Sequence, residues 1–192
     1  MVAKSLMLPT YLYLGGFGRR DRVKTWLESA PDRGSWRGIV GLVVSVAVAL
    51  AAGWLGSLAT APNIPTWYAG LAKPAFNPPN AVFPVVWTIL YILMAVAAWL
   101  VWRAPGDAGD RRRALVAYAA QLVLNVAWSF AFFGARSPLA GLAVIVPLSL
   151  AILWTMIGFH RISPPAAWLL APYLAWVLFA TVLNGAIFVL NP

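Results

Sequence analysis

The sequence predicts an all-α membrane protein, a bundle of five transmembrane helices with a structured Pro- and Trp-rich loop between the first two helices. Of its 192 residues, 62% are hydrophobic and only 10% are charged. A soluble domain has about 45–50% apolar and about 25% charged residues. The mean hydropathy is +0.80. A soluble core cannot bury this much apolar surface, so lipid must solvate part of it.

Five apolar stretches are each close to the roughly 20 residues that an α-helix needs to cross a hydrocarbon core of about 30 Å. They cover residues 37–60, 80–102, 114–134, 138–159 and 165–190. The connections after the second, third and fourth stretches are short, which predicts antiparallel neighbours. Residues 37–192 therefore form one membrane domain, and we expect the basic extension, residues 1–36, to be flexible or interfacial.

The connection between the first two stretches differs from the others. Residues 62–79 are rich in proline and aromatic residues, and this composition is too broken for a spanning helix. We therefore expect a structured lid on the membrane surface, with a short helix around Trp67–Leu71.

Lys and Arg residues are distributed unevenly between the two predicted sides. All of them except Lys73 and Arg136 lie in the N-terminal flank or in the second and fourth connections. The positive-inside rule therefore places the N-terminus in the cytoplasm, and the lid and the C-terminus outside. We expect the membrane to be that of a bacterial cell envelope. The net charge of +9 then reflects topology or anionic lipid, and no nucleic-acid partner is predicted.

Polar and aromatic residues within the spans recur at every fourth position, so they share helix faces. These stripes are Gln121, Asn125 and Ser129 on the third helix, Trp176, Ala180 and Asn184 on the fifth, and Trp87, Tyr91, Ala95 and Trp99 on the second. Amides facing lipid would lack hydrogen-bond partners, so the stripes should point into the bundle. Interhelical hydrogen bonds and ligand contacts are both open for them. Small residues from Ser45 to Ala61 on the first helix predict close helix packing, either within the bundle or at a dimer seam.

The residue types exclude several kinds of chemistry. The chain has no cysteine, and its acidic residues all fall outside the spans, which argues against thiolate metal sites and proton relays. No metal site and no required cofactor are predicted. The only histidine, His160, lies at a helix end, where a surface role is expected and axial haem ligation is the alternative. A basic, aromatic bundle suits a flat apolar ligand with an anionic edge.

Several motifs then point to one family. The lid and second helix contain Trp67-Tyr68-x-x-Leu71-x-Lys73-Pro74 and Phe83-x-x-x-Trp87-Thr88-x-Leu90-Tyr91, the third helix contains Gln121-Leu122-x-Leu124-Asn125-x-x-Trp128, and the fifth contains Pro172-Tyr173-Leu174-Ala175-Trp176. Over roughly residues 38–191, the chain resembles the TspO/MBR family of translocator proteins and tryptophan-rich sensory proteins.

This resemblance implies a five-helix bundle that binds porphyrins, such as protoporphyrin IX or haem, as ligands. It also implies a homodimer, and family members bind sterols and synthetic isoquinoline or benzodiazepine ligands. Carried over by position, the pocket under the lid would include Ser57, Thr60, Trp67, Phe83, Pro84, Val86, Trp87, Asn125, Ala140, Ala143, Trp176, Ala180 and Leu183. The inward stripes add Tyr91, Trp128 and Asn184 as candidate ligand contacts.

Two departures from the family pattern affect the ligands expected. Gly185 and Val189 stand where the sterol motif of mitochondrial members has an aromatic and a basic residue, which argues against sterol recognition there. Ala140 replaces a pocket tryptophan, so the affinity for synthetic ligands should differ.

Three functions are open at this point. The leading hypothesis is a membrane sensor or translocator that binds porphyrin intermediates. The first alternative is a light-dependent porphyrin-degrading enzyme, in which Trp87 or Trp176 takes part although no acid–base group supports turnover. The second alternative is a regulatory protein that acts through protein partners, by way of the N-terminal tail and the basic patch Arg111–Arg113.

Overall fold

The computed structural model describes residues 36–192, which form one compact unit of helices. The helices are α1 (Trp36–Thr60), α2 (Val82–Arg103), α3 (Ala108–Ser129), α4 (Pro138–Ile162), α5 (Pro164–Leu169) and α6 (Ala171–Leu190). The extension predicted for residues 1–36 lies outside the described residues, apart from Trp36, which begins α1.

The structure confirms the predicted fold class. In the described part of the chain, five helical segments are long and apolar enough to cross a membrane: Trp36–Asn63, Val82–Arg103, Ala108–Gly134, Pro138–Ile162 and Pro164–Leu190. The fifth segment is interrupted at Leu170, between α5 and α6. Pro172 lacks the N–H that would donate to the carbonyl of Trp168, so the helical hydrogen-bond ladder breaks there.

The third segment ends differently from a regular α-helix. Phe130–Gly134 form a π-turn, in which the N–H of Ala135 donates to the carbonyl of Phe130 over 2.7 Å. Such wider turns shift side chains relative to the preceding helix. The shift brings Phe132 and Phe133 into a second core cluster under the loop that follows α1.

The first helix packs closely against the second through its small residues. A Cβ atom at Gly53 would lie 2.5 Å from Cε2 of Tyr91, and one at Gly41 would lie 2.6 Å from the ring of Trp102. Ser45 Oγ also donates to the carbonyl of Ala95 over 2.7 Å. Ser45 and Gly53 of the small-residue stripe therefore take part in helix packing within the chain.

Residues 61–81 form the lid, the connection between α1 and α2. It contains a 3₁₀ turn at Ala61–Asn63 and another at Tyr68–Gly70, where the sequence predicts a short helix. The side chain of Asn191, just after α6, pairs with the backbone of Ala72. Its Nδ2 donates to the carbonyl and its Oδ1 accepts from the N–H, both over 3.0 Å. The lid is thus tied to the end of the last helix.

Candidate ligand-binding cavity

A cavity of about 400 Å³ lies between α1, α2 and α3, beneath the lid. This volume falls within the roughly 300–1,000 Å³ that small-molecule sites occupy. Its lining residues are Leu50, Gly53, Trp54, Ser57, Thr60, Ala61, Ile64, Tyr68, Asn80, Phe83, Pro84, Trp87, Thr88, Tyr91, Asn125, Trp128, Ser129 and Phe133. We call this cavity the aromatic slot.

Two walls of the slot are aromatic. On α2, Phe83, Trp87 and Tyr91 recur at every fourth residue and so stand on one face. The ring centroids of Trp87 and Tyr91 are 5.6 Å apart. On α3 and its π-turn, Trp128 and Phe133 contact each other edge to face at 6.0 Å. These rings offer stacking surfaces for a flat ligand.

The third wall, on α1, is built mainly from small residues. Gly53, Ser57, Thr60 and Ala61 line the slot on this side. The hydroxyl of Ser57 donates to the carbonyl of Trp54, and that of Thr60 donates to the carbonyl of Gly56. Both hydroxyl hydrogens are bonded to backbone carbonyls of α1, so neither hydroxyl can donate to a ligand. This wall therefore favours an apolar ligand.

The floor of the slot is a buried hydrogen-bond network across three helices. Tyr91 Oη donates to Asn125 Oδ1 over 2.5 Å, and Asn125 Nδ2 donates to Tyr173 Oη over 3.2 Å. Asn125 is only 2% exposed. The network fixes Tyr91 at the base of the aromatic wall. The second N–H of the Asn125 amide has no acceptor among residues 36–192, so it can donate to a ligand.

The slot also opens sideways. The lining residues Leu50, Trp54 and Ser57 on α1, and Pro84 and Thr88 on α2, are all exposed. They lie within the lengths of two spanning segments, so the opening faces the region that lipid occupies.

The lid end of the bundle carries positive charge. Arg136 Nε donates to Asn63 Oδ1 over 3.0 Å, and Lys73 Nζ lies 4.7 Å from the ring centre of Tyr68, a lining residue. The acidic residues within the described range, Asp107 and Asp110, both lie at the opposite end of the bundle. The potential near the mouth therefore favours an anionic group.

Tyr68 connects the lid to the slot. Its Oη donates to Asn77 Oδ1 over 2.8 Å. Burial raises the pKa of the Tyr68 phenol above its usual value, and the hydrogen bond with Asn77 partly offsets this. The phenol is therefore protonated at neutral pH and acts as a donor.

Half of the predicted site residues line the slot. They are Ser57, Thr60, Phe83, Pro84, Trp87, Tyr91, Asn125 and Trp128. Burial of Gln121, Asn125 and Asn184, each 1–2% exposed, also confirms that the polar stripes point into the bundle.

The other predicted residues lie elsewhere. Val86 and Trp176 line a second, more open hollow between α2 and α6. Trp67 packs edge to face on Phe132 at 5.5 Å, while Ala180 and Leu183 are buried in core clusters. Asn184 accepts a hydrogen bond from Trp128 Nε1 over 3.3 Å. Whether these residues contact a ligand stays a prediction.

The predicted residues on the fourth helix do not reach either hollow. Ala143 is exposed and Ala140 is half-buried, and the backbone N–H of Ala140 donates to Ser137 Oγ at the start of α4. No residue of α4 lines the slot, which is formed by α1, α2, α3, the π-turn and the lid.

Sequence reasoning missed ten lining residues, some of which carried a signal. Gly53 and Ser129 belong to stripes recognised in the sequence, and Tyr68 stands next to Trp67 in the lid motif. Trp54 and Leu50 lie about one and two turns before Ser57, respectively, on the same side of α1. Ala61 ends the small-residue stripe and Thr88 stands in the quoted motif of the second helix. The remainder are Ile64, Asn80 and Phe133, whose positions depend on how the lid and the π-turn fold.

Comparison with known proteins agrees with this architecture. The model of the TspO/MBR family matches residues 45–190, most of the membrane domain. The chain belongs to the TspO/MBR family. The TspO/MBR match thus covers the aromatic slot and all of its lining residues.

Individual TspO/MBR relatives match over long stretches. The chain is 45% identical to tryptophan-rich protein TspO of Chlorobaculum tepidum over 154 residues, which are 80% of this chain and 98% of the relative. It is 42% identical to tryptophan-rich protein TspO of Archaeoglobus fulgidus over 153 residues, 80% of this chain and 98% of that relative. Human translocator protein is 44% identical over 121 residues, which are 62% of this chain and 70% of that protein.

Proposed function

We propose that this protein binds a tetrapyrrole, such as protoporphyrin IX or haem, in the aromatic slot and acts as a membrane sensor or translocator of porphyrin intermediates. The observation that carries the proposal is the slot itself: two aromatic walls, a wall of small residues and a lateral opening toward lipid. Relatives named translocator protein and tryptophan-rich sensory protein support the same role.

The slot matches the two chemical parts of a porphyrin. A planar macrocycle would stack between the α2 wall, at Trp87, and the α3 wall, at Trp128. Its carboxylates would lie toward the lid, where Lys73 and Arg136 supply positive charge. The ligand would enter from the bilayer between α1 and α2, because most of the exposed lining residues are there.

A fluorescence titration with matched variants tests this proposal. Ser57→Trp places an indole in the slot, whereas Leu58→Trp places one on the adjacent, exposed position outside it. Both variants add the same fluorophore. We expect protoporphyrin IX to quench the wild type and L58W saturably at micromolar concentration. The affinity of S57W should fall about tenfold or more, as overpacking of about 1–3 kcal/mol implies.

Two results would contradict the proposal. One is an absence of saturable quenching in the wild type. The other is equal affinity in S57W and L58W, which would place the ligand outside the slot.

The light-dependent degradation of porphyrin is a second candidate function, favoured by one observation. The Trp87 indole lies on the slot wall, whereas Trp176 contacts the slot only through Phe83, at 5.9 Å between ring centres. If the protein promotes breakdown under illumination and oxygen, Trp87→Phe should slow it more than Trp176→Phe. Equal rates in the wild type and both variants would remove these residues from the chemistry. The alternative that acts through protein partners invokes an N-terminal tail, which lies outside the described residues, and the basic patch Arg111–Arg113, which lies at the start of α3.

A further inference from the structure

A second hollow with a different chemistry lies at the end of the bundle opposite the lid. It is formed by the last turn of α2 and the first three turns of α3. Its lining residues are Trp102, Ala108, Arg111, Arg112, Leu115, Val116 and Ala119. We call it the arginine groove. From this groove we infer that the protein has a specific site for an anionic phospholipid.

The groove changes from charged to apolar along α3. Arg111 and Arg112 lie in the first turns of the helix, and Leu115, Val116 and Ala119 follow on the same side. From Ala108 to Ala119 the helix rises by roughly 16 Å, and it does so within a spanning segment. An amphiphile fits this order, with its headgroup at the arginines and an acyl chain along the apolar residues.

The arginines are positioned to bind a phosphate. Arg111 is half-buried, and its Nη1 donates to the carbonyls of Ala104 and Gly106 over 3.0 and 2.7 Å. These bonds hold the guanidinium in place, while Nε and Nη2 keep donors that no described residue accepts. The adjacent Arg112 is exposed at the groove. Two neighbouring guanidinium groups suit the bidentate geometry of a phosphodiester.

The acidic residues nearby do not pair with Arg111 or Arg112. Asp110 accepts from Arg113 over 2.9 Å, and Asp107 accepts from the N–H of Asp110 over 2.8 Å as the cap of α3. Neither lines the groove. Arg111 and Arg112 therefore form no ion pair within the described residues, and their positive charge complements an anionic headgroup.

Trp102 completes the site on the α2 side. Its ring rests against Gly41 of α1, where an added Cβ would lie 2.6 Å away, and half of its surface is exposed. Indole rings prefer the level of lipid headgroups. The ring therefore forms a fixed wall at the depth where a phosphodiester lies.

Thermal unfolding of the full chain in detergent with added lipid tests the inference. We expect phosphatidylglycerol to raise the melting temperature more than phosphatidylcholine does, because a ligand that binds the folded state stabilises it. Inorganic phosphate should have no such effect, since it lacks the acyl chain. Retention of phosphatidylglycerol in native mass spectrometry gives a second readout.

Three variants locate the effect. Arg111→Gln with Arg112→Gln should weaken phosphatidylglycerol binding about tenfold or more. Ala119→Trp, which fills the apolar part without changing charge, should weaken it as well. Arg161→Gln is the matched control, because Arg161 is exposed at the same end of the bundle but outside the groove.

Several results would overturn the inference. They are equal stabilisation by phosphatidylglycerol and phosphatidylcholine, the same effect from inorganic phosphate, or an equal loss in R161Q and the double variant. If the double variant does not fold, A119W and Arg112→Gln alone decide the matter, since Arg112 makes no hydrogen bond within the described residues. Binding of porphyrin in the aromatic slot is independent of all these outcomes.

Discussion

At the scale of single residues, Asn125 joins three helices through its side chain. It accepts from Tyr91 of α2 and donates to Tyr173 of α6. In a membrane interior, such polar contacts replace the water that the groups would otherwise bind. Their geometry also sets the depth of the aromatic slot, because Asn125 and Tyr91 both line it.

Replacement of Asn125 by leucine should therefore destabilise the bundle. Both tyrosine hydroxyls would lose a partner, and interhelical hydrogen bonds in membranes contribute about 0.6–2 kcal/mol each. The melting temperature in detergent, followed by circular dichroism, measures the effect. Asn80→Leu is the control, since Asn80 is exposed and forms no hydrogen bond within residues 36–192. Equal melting temperatures of the two variants would show that the network contributes nothing.

Single residues also mark the limit of sequence-based prediction. The burial of Gln121 and Asn184 follows from a local rule, that amides within a span avoid lipid. No such local rule tells whether Trp67 or Tyr68 lines the slot, because both are aromatic residues next to each other at one 3₁₀ turn. Only the folded lid directs Tyr68 to the slot and Trp67 to Phe132.

At the scale of elements, the contact between α1 and α2 depends on glycine. Gly53 allows the ring of Tyr91 to lie against the α1 backbone. The same contact holds Tyr91 in the position from which it donates to Asn125. The packing of α1 on α2 therefore also determines the shape of the slot at Tyr91.

Substitution of two helical glycines by alanine separates packing from helix propensity. Gly53→Ala would bring a Cβ within 2.5 Å of Tyr91, whereas Gly185→Ala meets nothing within 4 Å. Both gain the same helix propensity. We expect G53A to be less stable than G185A by about 1–3 kcal/mol because of overpacking. Denaturant unfolding in mixed micelles measures the difference, and equal stabilities would refute the close contact.

The lid is a second element whose attachment can be tested. Asn191→Ala removes both hydrogen bonds to the Ala72 backbone, so the Ala72 amide should lose protection from hydrogen exchange. Thr66→Ala is the control, because the Thr66 hydroxyl donates only to Pro62 within the lid. Unchanged exchange at Ala72 in N191A would mean that other contacts hold the lid.

At the scale of the whole molecule, charge distribution predicts the orientation in the membrane. Lys73 and Arg136 are the basic residues at the lid end, while Arg103, Arg111–Arg113 and Arg161 lie at the other end. The positive-inside rule then places the lid outside the cytoplasm. The arginine groove would in that case face the cytoplasmic leaflet.

Single cysteines can report this orientation, since the chain contains none. Ala75→Cys in the lid and Pro105→Cys in the loop before α3 are both exposed positions. A membrane-impermeant maleimide should label A75C in cells with an intact cytoplasmic membrane and P105C only after that membrane is permeabilised. The reverse pattern would invert the predicted topology.

The sequence alone determined the number of spans and the inward direction of their polar residues. Both depend on local properties, the length of an apolar run and the 3.6-residue helical period, which any lipid-solvated helix must satisfy. The break at Leu170 and the π-turn at Phe130–Gly134 were missed, because they are small local changes within continuous apolar runs.

Only the tertiary structure decided which side chains share one cavity. Trp87 and Trp176 both lie on inward stripes, yet Trp87 lines the slot and Trp176 lines a separate hollow. Helix order and rotation separate them, and these are set by contacts such as that of Gly53 with Tyr91. Contacts between residues far apart in the chain are not encoded in the period of any single helix.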